Sequence, residues 1–229
     1  MENILLKIDN ITKKFGSFYA NKDISFTVRK GEILTILGEN GAGKSTLMNI
    51  ITGFYRQDSG TITINGEKVL YKSPRDAMQY GIGMVHQHFM LVKNHTVFEN
   101  LYVSLKEKKF LINKDIYKDI FGKIFQEFNL NIDMDAPLWK LSIGEQQWIE
   151  IVKLLINDCN LLILDEPTTL LTPQETVFLF NFLKKLQEKG KSIIFISHKI
   201  KEVMELSDRI TILKKGEFVG TLNKNEFNE

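Results

Sequence analysis

The sequence predicts an α/β fold in which a parallel sheet is covered on both faces and interrupted by a helical lobe. Two observations carry this. Short apolar runs at Ile33–Leu37, 161–164, 192–196 and 210–213 have strand length, and helical patterns begin at Lys44, at 176–188 and at Ile200–Leu206 between them. A β-α-β alternation of this kind makes the strands parallel and buries both faces of their sheet. Between Val97 and Lys140 the texture changes, with Ile116, Ile120, Ile124 and Phe128 recurring every four residues and Lys, Asp and Glu filling the other faces.

The remaining elements follow in order. Residues 4–8 read as a strand, and so does the stretch in which Ile24, Phe26 and Val28 alternate with Ser25 and Thr27. Leu47, Ile50 and Ile51 follow a glycine-rich turn, so a helix opens where the strand Ile33–Leu37 has just ended. Runs at 61–64 and 67–70 flank Asn65-Gly66, a strong hairpin signal. Ile82–Val85 is a further strand, and the charged run 106–109 reads as a solvated loop. No internal repeat or low-complexity linker is present.

Composition narrows the function classes. With 229 residues, 43% hydrophobic and 25% charged, the chain has an ordinary globular composition. Thirty Lys+Arg against 28 Asp+Glu leave a net charge of +2, far from the basic balance of a nucleic-acid binder. No apolar run reaches the length of a membrane helix. Cys159 is the one cysteine, expected in the core, and with no N-terminal signal pattern a reducing compartment is the simplest expectation.

Two motifs carry chemistry. Gly38-Glu39-Asn40-Gly41-Ala42-Gly43-Lys44-Ser45 fits G-x-x-x-x-G-K-[ST] between a strand and a helix that runs on through Thr46. Successive backbone amides and a helix N-terminus can ring phosphates there, with Lys44 reaching the β- and γ-phosphates and the Ser45 hydroxyl on Mg²⁺. The second motif is the run 161–164 ending in Asp165-Glu166. Unpaired buried carboxylates cost several kcal/mol, so acids at the end of a core strand point to a function. Beside a phosphate loop Asp165 falls next to Mg²⁺, and Glu166 faces the γ-phosphate as a general base for water. His86 and His88 form an H-x-H around Gln87, but no cysteine or carboxylate cluster completes a metal site in the sequence nearby.

With these residues placed, the chain resembles the nucleotide-binding domain of ATP-binding-cassette (ABC) proteins over nearly its whole length. The resemblance extends to Phe15 as the aromatic that stacks on adenine, Gln87 as the glutamine touching Mg²⁺ and the attacking water, and His198 as the switch histidine at the γ-phosphate. Leu141-Ser142-Ile143-Gly144-Glu145-Gln146-Gln147 stands where the family carries its L-S-G-G-Q signature. In the family Ser142 and Gly144 cap the nucleotide of an opposing cassette. Ile143 and Glu145 depart from the usual signature, as does Thr172 from the usual aspartate of the D-loop. The Glu145 carboxylate near that nucleotide implies that the composite site completed by this chain is the weaker of two.

The resemblance implies a P-loop NTPase fold with a mixed, mainly parallel core sheet and an N-terminal antiparallel β subdomain. The chain would be a single domain, 1–229, with a helical subdomain of 97–140 plus the signature helix 142–157. It also implies ATP and Mg²⁺ as ligands, ATP hydrolysis, and a peripheral position on the cytoplasmic face of the membrane. The implied partners are a second cassette, membrane permeases and, indirectly, an extracytoplasmic substrate-binding protein, with no nucleic acid. The stretches 85–92, 141–147 and 169–175 look like importers of nucleosides or simple sugars, where two cassettes lie in tandem and this chain resembles the N-terminal one. Two alternatives stay open: a non-hydrolysing module that acts by dimerising, and a nucleic-acid- or ribosome-associated ATPase. The near-neutral charge, and a span from Gly38 to Ser142 without a heptad array, weigh against the second.

Overall fold

A computed structural model of the chain describes residues 3–106 and 113–227. Two long strands open it, β1 (Ile4–Phe15) and β2 (Phe18–Arg29), paired antiparallel. β1 also pairs antiparallel with β4 (Ser59–Ile64), and the Asn65-Gly66 turn joins β4 to β5 (Glu67–Val69) as its sequence predicts. The second group is parallel: β3 (Ile33–Leu37), β6 (Ile82–Val85), β7 (Leu161–Asp165), β8 (Ser192–Ser197) and β9 (Arg209–Lys214). Their near-continuous burial is what a sheet covered on both faces requires.

β10 (Glu217–Asn223) pairs antiparallel with β9 and meets β2 at Glu217 and Lys22, which joins the two groups in the order β5-β4-β1-β2-β10-β9-β3-β8-β7-β6. The sheet is therefore mixed, with its parallel strands at one end. Helices α1 (Lys44–Ile51), α2 (Pro74–Gln79), α3 (Val97–Val103), α4 (Lys114–Glu127), α5 (Ile143–Leu155), α6 (Pro173–Glu188) and α7 (Ile200–Leu206) complete the described elements, with a 3₁₀ turn at Leu138–Lys140.

Two apolar cores form. One packs α1 between the N-terminal strands and the parallel sheet around Leu47, Met48, Ile36 and Ile163. The other joins α3, α4, α5 and α6 to the opposite sheet face through Phe98, Phe121, Ile149, Phe180 and Phe195. Cys159 is buried in it, and burial pushes its thiol up to about 11, so it stays protonated at neutral pH.

Two expectations need correction, and a third lies mostly outside the described residues. The buried face of α4 is not the stripe at Ile116, Ile120, Ile124 and Phe128. Ile116 and Ile120 are exposed, and the helix packs through Phe121 and Phe125, with Phe128 just beyond its end. A strict four-residue repeat drifts around a helix of 3.6 residues per turn, and the larger aromatic surface takes the core. The hairpin strand expected to reach residue 70 ends at Val69, and Leu70 is exposed. In the run 106–109 only Lys106 lies within the described residues, its amide donating to the Asn157 side chain at 2.8 Å.

Candidate functional site

β3 delivers the chain into the phosphate loop, which closes at the start of α1. Gly43 caps that helix with φ 93°, where a side chain would be strained. A Cβ there would also overlap the Ala20 carbonyl oxygen and sit 2.6 Å from the Asn21 amide nitrogen, so β2 backs the loop directly. The Asn21 amide donates to the Gly43 carbonyl at 3.0 Å, and the Gly216 amide donates to the Ala42 carbonyl at 3.1 Å. Ala42 is buried, whereas Glu39, Asn40 and Gly41 are exposed at the rim and Thr46 is half-buried on α1.

Lys44 is 6% exposed, and its ammonium donates to the carbonyls of Gly38 at 2.6 Å and Glu39 at 3.0 Å. An arriving phosphate would compete for these donors with full negative charge, and charge-assisted bonds are the stronger ones.

β7 ends beside the loop. The Ser45 hydroxyl donates to the Asp165 carboxylate at 3.2 Å. Burial raises the Asp165 carboxyl above the ordinary aspartate range, the Ser45 bond opposes the shift, and the Glu166 charge adds to it. A buried carboxylate in contact with a hydroxyl is a hard-oxygen pair of the kind Mg²⁺ selects, so this chain fits the metal its motif implies.

Glu166 takes the left-handed region at φ 48°, which costs a non-glycine residue on the order of 1–3 kcal/mol. Its amide donates to the Ile196 carbonyl of β8 at 3.0 Å, and its Oε1 lies 3.1 Å from His198 Nδ1 at the end of that strand. Gln87 follows β6 and shares a cleft with Asp165 and Glu166, of about 10 Å³, room for roughly one water. Neighbouring His86 is half-buried, and that burial lowers its pKa. A larger cavity of about 510 Å³ runs from the outer side of the phosphate loop to His198, Ile200 and Leu213.

The structure thus brings Ser45, Gln87, Asp165, Glu166 and His198 to one end of the parallel sheet. These lie beside Lys44 and the phosphate loop, whereas Phe15, Ser142, Gly144 and Glu145 are held elsewhere. Phe15 is 46% exposed at the β1–β2 turn and meets Tyr55 edge to face at 5.6 Å.

Ser142 caps α5 in a reciprocal box. Its hydroxyl accepts from the Glu145 amide at 3.2 Å, and its own amide donates to the Glu145 carboxylate at 2.8 Å. Gly144 lies against Glu175, and a Cβ there would overlap Glu175 Oε1 and sit 3.0 Å from its Cδ. Glu175 is itself tied back to Thr172, the cap of α6, by a second box. The residue that departs from the usual D-loop therefore starts a helix, and the departure at Glu145 seals one. Among the described residues no hydrogen bond or ion pair links Ser142, Gly144 or Glu145 to the phosphate loop.

One further residue of this site escapes sequence reasoning. Gln147 is 3% exposed, lines the cleft with Gln87 and Glu166, and its amide nitrogen has no hydrogen-bond partner among the described residues. Its place in the run 141–147 is the only signal the sequence holds for it.

Residues 21–169 match the ABC transporter family, which is well over half of the chain. The chain belongs to the ABC transporter family. Among solved structures, this ABC chain superposes on the ADP conformation of an ATP-binding cassette of an ABC transporter with a TM-score of 0.87 and 30% identity. The match covers 97% of this chain and 92% of the other. A dimeric bacterial ABC transporter cassette matches with a TM-score of 0.83 and 28% identity, over 97% and 100% of the two chains. The fold is the ABC cassette version of the P-loop NTPase fold.

Curated relatives include the ribose import ATP-binding protein RbsA of Hahella chejuensis, 43% identical over 95% of this chain and 44% of its own length. The nucleoside import ATP-binding protein NupA of Lactococcus lactis subsp. cremoris is 42% identical over 96% and 44%. A glucose import ATP-binding protein of Haloferax volcanii is 41% identical over 96% and 46%. The chain spans less than half the length of each of these relatives.

Proposed function

We propose that this chain is one ATP-binding cassette of an importer ATPase that binds and hydrolyses ATP on the cytoplasmic face of a membrane. It would energise uptake of a sugar or a nucleoside through partner permeases, supplied indirectly by an extracytoplasmic binding protein. The observation that carries the reading is the linked set Ser45, Asp165, Glu166 and His198, joined in two contacting pairs at the end of one sheet beside Lys44. The ribose, glucose and nucleoside import proteins among its relatives support the cargo class. No described helix is long and apolar enough to cross a membrane, which fits a subunit that works through separate permeases.

In this reading residues 1–229 act as one cassette. Phe15 stacks on adenine, and the backbone from Gly38 to Thr46, including Glu39, Asn40, Gly41, Ala42 and Gly43, rings the phosphates. Lys44 exchanges its two carbonyl partners for phosphate oxygens. Ser45, Asp165 and Gln87 are the residues that would hold Mg²⁺, whose chemistry is to offset charge on the phosphate oxygens. Glu166 takes a proton from the attacking water, and the 3.1 Å contact with His198 Nδ1 keeps its carboxylate turned toward the γ-phosphate position. Ser142, Gly144 and Glu145, at the start of α5, would meet a nucleotide on a second cassette, so turnover depends on that partner. A dimeric cassette among the structural relatives supports the arrangement.

The test is Glu166→Gln in the assembled ATPase. Nucleotide binding should persist while hydrolysis falls at least about 10²-fold, the low end for a lost general base. Unchanged turnover would sink the assignment.

A further inference from the structure

Glu202 lies on α7, four residues beyond His198, with a side chain only 11% exposed. Its Oε2 accepts from the Thr168 hydroxyl at 2.7 Å and from the Ser197 hydroxyl at 2.9 Å. Its Oε1 pairs with Lys199 Nζ at 2.9 Å. The Lys199 ammonium also donates to the Thr168 hydroxyl at 3.2 Å and carbonyl at 3.3 Å, and the Lys199 amide donates to the Ser197 hydroxyl at 3.0 Å. Thr168 and Ser197 are both 2% exposed. One carboxylate therefore joins the turn two residues after Glu166 to the residue immediately before His198.

Stability alone gives little reason for such a group. A buried charged network can often be replaced by apolar side chains of similar volume without loss, whereas directional bonds fix geometry that apolar packing leaves loose. Geometry is what this place demands. Glu166 sits in a strained left-handed conformation, and strain of that kind persists only where the surroundings over-determine it. One restraint is the bond from the Glu166 amide to Ile196 in β8. The two hydroxyl bonds to Glu202 tie the same two segments together a second time.

We propose that Glu202 is a positioning residue for hydrolysis, holding Glu166 and His198 in register by bridging Thr168 and Ser197. The proposal rests on the assignment of Glu166 and His198 to ATP hydrolysis made above. Glu202 touches neither nucleotide nor water in this scheme and acts through the two loops it joins.

The experiment uses the complete ATPase with its partner subunits, and reads kcat and KM for ATP, the Kd of a fluorescent ATP analogue, and Tm. Glu202→Ala should lower kcat about 10- to 100-fold, the scale of a loss from an angstrom-level misplacement. KM and Kd should change by less than about 3-fold, because phosphate binding belongs to the Lys44 loop. Glu202→Gln keeps an oxygen able to accept from both hydroxyls and should recover most of the rate. Thr168→Val removes one bridged hydroxyl at nearly constant volume and should slow kcat in the same direction even where Glu202→Ala does not fold. In a Glu166→Gln background, Glu202→Ala should cost less than about 3-fold further, since the group it positions is already lost.

An unchanged kcat in Glu202→Ala and Thr168→Val, a loss that multiplies fully in the Glu166→Gln background, or a loss that tracks Kd and Tm would each overturn the proposal. Unaltered turnover in Glu166→Gln alone would instead bring down the hydrolysis reading, and this proposal with it.

Discussion

Around the phosphate loop, contacts reach far along the chain: Ser45 meets Asp165 across 120 positions and Glu166 meets His198 across 32. At the start of α5 the bonds of Ser142 and Glu145 close within three residues, and Gly144 rests on Glu175 of a neighbouring helix that is capped in the same local way. The first region assembles only when the whole sheet has formed. The second is a pair of prefabricated helix starts with no hydrogen bond to the first among the described residues. Long-range chemistry beside a locally satisfied pair of helix starts fits the proposal that this chain supplies one half of a site completed by another cassette.

The sharpest way to break this comparison is Lys44→Ala. Bonds to charged groups contribute about 1.5–3 kcal/mol, so nucleotide affinity should fall roughly 10- to 100-fold. Titration with a fluorescent ATP analogue reads it, and unaltered affinity would show that the loop is not where phosphate binds.

Asp165→Asn tests whether the first region sacrifices stability for its chemistry. Burial raises the Asp165 carboxyl, so the folded chain holds that proton more readily than the unfolded one. Stability from this group is therefore present in acid and is lost as pH rises through its folded range. Removing the charge should raise the nucleotide-free Tm at neutral pH by about 2–4 °C, the size of a 1 kcal/mol gain, with the gain vanishing in acid. The same variant should lose the extra thermal stabilisation that Mg²⁺ adds to bound ATP. A lower neutral-pH Tm would mean that Asp165 is structural.

The smallest effect is expected at Glu145. Its carboxylate is turned onto the Ser142 amide at the positive end of α5, which offsets much of the repulsion it would exert on a partner's nucleotide. Glu145→Gln keeps the box and should leave Tm unchanged. It should raise hydrolysis at the opposing phosphate loop only a few-fold and leave the Lys44 site as it was, measured in complexes with one site disabled at a time by Lys→Ala. Glu145→Ala breaks the box and should destabilise the chain by about 0.5–2 kcal/mol. A gain confined to the Lys44 site would reverse the roles assigned to the two regions.

Elements whose cause is local were legible in the sequence. β3, β6 and α7 occupy the residues their patterns predict, because an apolar run between turn signals, or an apolar spacing after one, suffices to specify them. β10 was not legible, since its mostly exposed side chains carry no alternation and its pairing with β9 is what makes it a strand. α2 was missed although Ser73 followed by Pro74 is a start signal; only Ala77 of it is buried, so the apolar pattern is nearly absent. The site divides the same way. Motif spacing pointed to Lys44, Ser45, Asp165 and Glu166, and the family resemblance pointed to His198. Gln147 and Glu202 are polar residues whose importance lies in what the fold sets beside them; the run 141–147 is the one hint for Gln147, and nothing in the neighbours of Glu202 announces it.

The phosphate loop reads as eight consecutive letters, yet its outer wall is made by residues remote from it. Asn21 holds the Gly43 carbonyl, and Gly216 bonds Ala42 while accepting from the Lys22 amide where β10 meets β2. A fragment ending before position 216 would keep every letter of the motif and lose one side of the mould. Completing the nucleotide seat therefore waits until position 216 has left the ribosome, and a nascent chain stalled at β9 would be expected to carry the motif without the affinity.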